Sequence, residues 1–422
     1  MITLHGIASR ADLPLPFEAV VAGAGAVLLI TFWVLFFAWK RSKFEDDAGT
    51  PMPRLTRFVD STGASVAFRV AAGLIWALAA IALIFGVDRI DNPSVGFIYV
   101  WLWVGLVVLS VLLGEAYKRT NPMRSLLFFR GATANVPDGP GSRWPAAIML
   151  FAFLYMELVI PTGATLGVLR TGAAIWFAWV LIGGLISRTW IERADPFEVY
   201  ATTVAKLSPW HRVDGVIHRV NPLRNLASWS PPRDTWAVAV VLLGGTAFDA
   251  MSATPAWVRM TQASELPAQL LGTFGMVGMM LGVGALYALG CWALREGQGL
   301  VPAMNALSPG LVPLIVGYCL SHYGTMFYLE GQRTLIWFND PLGRGDNLFG
   351  FVEAAPDVSL FAFPTPVAWA QVLLIVVGHV IGVLVTHDIA LRSPLGKQMR
   401  RQLPLLLVMV VFTVGGLLLM FG

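Results

Sequence analysis

The sequence predicts an all-α fold, a polytopic transmembrane helix bundle of about ten spans with both termini outside. Three observations carry that expectation. First, the 422 residues are 56% hydrophobic and only 13% charged, where a soluble domain is nearer a quarter charged; mean hydropathy is +0.69. Second, the apolar residues gather in runs of roughly 18 or more, the length a helix needs to cross a bilayer core of about 30 Å. Third, Lys and Arg concentrate in alternate loops, as the positive-inside rule requires.

Taken in order, the spans fall at about 18–39, 67–87, 96–116, 145–166, 171–188, 235–253, 267–292, 310–330, 367–388 and 403–421. The loops after spans 1, 3, 5, 7 and 9 hold 22 of the 29 Lys and Arg residues, and Arg69 lies inside the second span. The N-terminus and the remaining loops hold 6. The odd-numbered loops therefore face the cytoplasm. Span 7 is the weak point, because its inner loop holds only Arg295 and "GLVPAMNALSPGLVP" follows. That stretch reads as a re-entrant segment. The first twenty residues lack a basic n-region and an A-x-A site, so no cleaved signal peptide is expected. The two cysteines, Cys291 and Cys319, lie in apolar runs, which excludes a disulfide framework or a zinc finger. The net charge of +4 follows membrane topology and does not point to nucleic acid. The expectation is a single transmembrane domain, 1–422, in a bacterial cytoplasmic membrane, with lipid as its first partner and oligomeric association left open.

The long inner loop, 189–234, has room for structure. Phe197, Tyr200, Val204 and Leu207 recur at helical spacing, which predicts an amphipathic helix on the cytoplasmic face. His211 and His218 follow as exposed loop histidines. "NPMRSL" at 121–126 and "NPLRNL" at 221–226 echo each other, and Asn-Pro is a turn signal. The outer stretch "LEGQRTLIWFNDPLGRGDNLFGFVE" either caps the outer mouth of a cavity or is a solvated loop.

Ionisable groups at membrane depth cost several kcal/mol unless they face a cavity or a partner, so they are the candidate site. At about 1.5 Å per residue, Glu157, Asp249, His322 and His379 fall within about 8 Å of one another in depth, on four helices. His387, in "HVIGVLVTHD", falls at the inner boundary beside Asp388 and reads as interfacial. Pro161 and Pro255 lack an N–H and are expected to free the carbonyls of Glu157 and Met251 near the midplane. Cys319, one turn before His322, either packs as a small apolar residue or joins His322 and His379 in a soft metal site. The sequence requires no cofactor and admits a transition metal. It contains no G-x-S-x-G, H-E-x-x-H or Walker loop, so no enzyme class is indicated by motif.

These features favour transport of an ion or small polar solute through a Glu157/Asp249/His322/His379 layer, with His as a proton relay. Two alternatives stand beside it: a membrane-embedded hydrolase, and a metal-handling or assembly subunit of a respiratory complex. "HGIASRADLPLP", "ADPFEVYATTVAKLSPW", "TAFDAMSATPAW", "EGQRTLIWFNDPLGRGDNLFG" and "GHVIGVLVTHDIAL" together resemble a bacterial family of polytopic membrane proteins often labelled fenitrothion hydrolase. The resemblance implies the multi-span fold, and the label implies hydrolysis of an organophosphate triester. It also implies a copper-binding terminus at the residue matching His5, here preceded by Met1.

Overall fold

The structure, a computed structural model, describes residues 13, 15–44, 49–128, 141–187, 189–295, 297, 299–350, 353–394 and 396–421. His5 lies outside them. Nine helices among the described residues are long and apolar enough to cross a membrane. With a tenth, shorter one they follow the predicted spans: α1 (Phe17–Ala38), α2 (Thr62–Phe85), α3 (Pro93–Leu113), α4 (Trp144–Leu158), α5 (Leu166–Ile186), α6 (Thr235–Ser252), α7 (Ala268–Trp292), α8 (Val312–Trp337), α9 (Pro364–Ala390) and α10 (Met399–Phe421). The chain is an all-α, multi-pass membrane protein.

The tenth helix, α4, has only 15 residues, about 22 Å at 1.5 Å per residue. Pro161 does not kink it. The residue before a proline is pushed out of the α region, and the helix stops at Leu158. The turn that follows is tied down inside its own unit. Tyr99 Oη donates to the Gly163 carbonyl at 2.8 Å, and Asp88 Oδ1 accepts the Leu166 N–H at 3.1 Å. At the second proline the expected free carbonyl is occupied. Pro255 opens a separate helix, Pro255–Ala263, and the Met251 carbonyl accepts both the N–H and the hydroxyl of Thr254, at 3.0 and 2.8 Å. The stretch after α7 forms a short helix, Leu300–Leu307, and a 3-10 turn, Ser308–Leu311, that leads straight into α8.

The chain divides into two compact units rather than one. The first holds residues 1–48, 220–324 and 360–422, and so α1, α6, α7, α9, α10 and the beginning of α8. Its interior includes Phe17, Val20, Ala250, Tyr318, Val372, Ile375 and Leu417. Here α8 and α9 meet without side chains between them. A Cβ on Gly317 would stand 2.4 Å from the Leu374 carbonyl oxygen, and one on Gly378 would stand 2.6 Å from that of Pro313. Small residues at such a crossing are how membrane helices bring their backbones together.

The second unit holds residues 49–219 and 325–359. The predicted amphipathic helix is present in it, as Pro196–Val204, but every one of its residues is buried. It packs against α3 and α4 and does not lie on a surface. The loop beyond it forms a small antiparallel sheet in the order β1 (Thr50–Pro51), β3 (Val216–Arg219), β2 (Trp210–Val213). Asp214 and Gly215 turn the hairpin with φ of 48° and 81°, the left-handed pair that a two-residue hairpin needs. His211 and His218 stand opposite each other across it. Both Asn-Pro echoes open short helices. Asn121 caps Pro122–Phe128 through the Met123 N–H, and Asn221 caps Pro222–Ala227 through the Leu223 N–H, the usual pairing of an N-cap with proline at the first helical position.

Candidate functional site

The first unit brings two of the four predicted residues into contact. Asp249 lies near the end of α6, and His322 lies on α8, with both side chains buried. His322 Nε2 stands 3.2 Å from Asp249 Oδ2. An ionised carboxylate only accepts, so in this pair Nε2 carries the hydrogen. The same oxygen accepts the Tyr323 hydroxyl at 2.7 Å. Two successive residues of one helix thus converge on one carboxylate of another.

Aromatic rings close the site. The Tyr318 ring, one turn earlier on α8, stacks on the His322 ring with centroids 5.9 Å apart and planes at 20°. The Tyr323 ring meets it edge-on at 4.6 Å. Just beside them a reciprocal clasp fixes α8 to α9: Ser321 Oγ donates to the Gln371 carbonyl at 2.9 Å, and Gln371 Nε2 donates to the Ser321 carbonyl at 3.1 Å. The carboxylate is therefore held in an apolar, low-dielectric setting by oriented donors. In such a setting an ion–dipole contact is stronger than in water, and an unpaired charge would be costly. Chemically, the Asp249–His322 pair can gain or lose a proton at the other ring nitrogen, Nδ1, without breaking either contact to Asp249.

Of the other two predicted residues, His379 belongs to the same unit as this pair and Glu157 to the second unit. His379 is buried near the middle of α9, and its Nδ1–H donates to the Ile375 carbonyl at 2.8 Å, one turn back on the same helix. Among the described residues it makes no hydrogen bond with Asp249 or His322. Glu157 is half-buried in the last turn of α4, in the second unit. Cys319 is buried on α8. Among the described residues no three His, Cys, Asp or Glu side chains converge closely enough to hold a metal ion, so the set of Cys319, His322 and His379 is not assembled.

His387 is enclosed by protein at the inner end of α9. It is 2% exposed. Its Nδ1 stands 2.7 Å from Gln402 Oε1 at the start of α10, and its Nε2 stands 3.3 Å from the Trp39 carbonyl just after α1. A crevice of about 20 Å³ beside it is lined by Thr386, His387 and Gln402 among apolar residues, room for about one water. Asp388 is fully buried as well. It accepts from Trp39 Nε1, Ser42 Oγ, the Lys43 N–H and Arg392, and so fastens the segment after α1 to the end of α9.

Tyr318, Tyr323, Ser321 and Gln371 were not picked out from the sequence. The available signal was the polar run "SHYGT" in an otherwise apolar span. Comparison with known proteins adds nothing to the geometry: no family model, no curated protein and no solved structure matches this chain.

Proposed function

We propose that the protein is a transporter of an ion or small polar solute in a bacterial cytoplasmic membrane, with proton exchange at the Asp249–His322 pair. One observation supports this reading above the others: a carboxylate, an imidazole and a phenol are joined at 2.7 and 3.2 Å inside membrane-length helices. Intramembrane ionisable groups are rare and mark proton and ion pathways. Imidazole is the side chain whose ordinary titration range spans neutral pH. Asp249 stabilises the imidazolium, and Tyr323 holds the carboxylate in place through both charge states. The basic bias of the loops gives the orientation, with both termini outside.

The test uses the protein reconstituted in vesicles under an imposed pH gradient, with an internal pH-sensitive dye. Small inorganic cations, inorganic anions and amino acids are added one at a time. The expected result is that one class collapses the gradient in the wild type and fails to do so in Asp249→Asn and His322→Gln. Proton movement that is equal in the wild type and in both variants for every solute would refute the proposal.

A further inference from the structure

The interior of the second unit is built around a carboxylate that meets no cation among the described residues. Asp195 opens the buried helix Pro196–Val204 as its N-cap. Its Oδ1 accepts the Phe197 N–H at 3.1 Å and the indole N–H of Trp176 at 3.3 Å. Its Oδ2 accepts from Asn121 Nδ2 at 2.7 Å. The same amide nitrogen donates to Glu198 Oε2 at 2.8 Å. One side-chain amide thus bridges two carboxylates, whose bridged oxygens lie no more than 5.5 Å apart. Asp195, Asn121 and Glu198 have no exposed surface.

The other two acids are paired with a cation. Arg124 grips Glu198 with Nε and Nη2, at 2.7 and 2.5 Å, and the same Nη2 reaches Glu192 Oε1 at 3.1 Å. The bidentate fork is the strong form of such a pair. Among the described residues no ion pair reaches Asp195, whose printed partners are the Phe197 N–H, Trp176 and Asn121. The buried Arg143 donates from Nη1 to Thr203 Oγ1 at 3.0 Å on the helix that Asp195 caps. Among the described residues Tyr117 also lies near both carboxylates, with its hydroxyl buried without a hydrogen-bond partner. A phenol there adds no positive charge.

We propose that Asp195 is a proton-binding site distinct from the Asp249–His322 pair, holding its proton on Oδ2 beside Asn121 and Glu198. Oδ1 already accepts two N–H groups, which leaves Oδ2 as the atom to carry it. Burial first, and the charge of Glu198 second, push the Asp195 carboxyl up to about 7. Ionisation leaves two adjacent carboxylates on a single amide, so it strains the junction between the Asn121 turn and the helix Pro196–Val204. The site does not depend on what the protein transports.

Infrared difference spectra of the purified protein, recorded as pH is raised, test this directly. The expected result is a protonated-carboxyl carbonyl band that disappears with a midpoint of about 7 and is missing in Asp195→Asn. In Glu198→Gln the neighbouring charge is gone, so the midpoint moves toward the ordinary carboxylate range. Trp176→Phe removes a donor to the ionised form, keeps the cap, and should raise the midpoint, so the test survives if Asp195→Asn does not fold. The proposal is overturned if no carboxyl band titrates near neutrality, if the band persists in Asp195→Asn, or if neither Glu198→Gln nor Trp176→Phe moves it.

Discussion

His387→Ala should destabilise the protein more than His379→Ala, although depth along α9 places His379 deeper in the bilayer. The reason is what each ring leaves behind. His379 donates to Ile375 on its own helix, whose carbonyl keeps its backbone environment when the ring is removed. The cost is then chiefly a cavity, about 1–2 kcal/mol at roughly 24 cal/mol per Å³. His387 instead joins three segments, because it spans Gln402 on α10 and the Trp39 carbonyl after α1. A neutral imidazole has one N–H, so truncation strips a donor from one of these two oxygens, at about 1–3 kcal/mol for the acceptor left buried, and adds a cavity. The neighbouring crevice of about 20 Å³ would widen and admit water, which repays part of that cost. The net expectation is about 2–4 kcal/mol. The assay is unfolding of both single variants in the same detergent, with Gln402→Leu and the double variant His387→Ala/Gln402→Leu completing a cycle. Removing both partners should recover part of the loss, since the coupling is local. A larger cost at His379, or strict additivity of His387→Ala and Gln402→Leu, would refute the reasoning.

Four further outcomes are expected. Asp249→Asn should stay folded because it keeps an acceptor for Tyr323, whereas Asp249→Leu should cost about 2–5 kcal/mol by orphaning the buried Tyr323 hydroxyl and His322 Nε2; equal melting points for the two variants would count against the contact. Arg124→Met should cost about 3–5 kcal/mol, because it leaves Glu198 and Glu192 without their cation, and a wild-type melting curve would show the pair to be dispensable. Asp195, raised from 3.8 to about 7 mainly by burial and then by Glu198, contributes stability that is full below about 4 and is lost as pH rises through about 7, on the order of 4 kcal/mol; pH-resolved unfolding should show this slope in the wild type and a shallower one in Asp195→Asn. A cysteine placed at the exposed hairpin residue Asp214 should react with impermeant maleimide only in inverted vesicles, and labelling in intact cells would reverse the orientation.

The spans were legible because hydropathy is a local property, and a helix that must satisfy its own backbone in lipid announces itself residue by residue. Asn121-Pro122 and Asn221-Pro222 were legible as turn signals, and the structure shows that each, like Asp195-Pro196, opens a helix within three residues. Depth counting found Asp249 and His322, which do touch. Glu157 belongs to the second unit, because the chain leaves the first unit after residue 48, returns at 220 and leaves again at 324, an interleaving set by packing that depth counting does not see. Tyr323 was passed over because a phenol carries no charge at neutral pH, although its hydroxyl makes the shorter of the two contacts to Asp249. Gly378 and Gly382 stood in plain view as a G-x-x-x-G, and their role depends on Gly317 and Gly310 facing them from another helix. The burial of the helix predicted in the 189–234 loop, which forms as Pro196–Val204, has the same origin. Hydropathy assigns each charge to water or to lipid. Glu198 belongs to neither, since Arg124 takes its charge from 74 residues upstream, and Asp195 lies beside it with only neutral donors. A charge paired or protonated inside protein follows its partner, so such sites emerge only once the fold has brought the partner across.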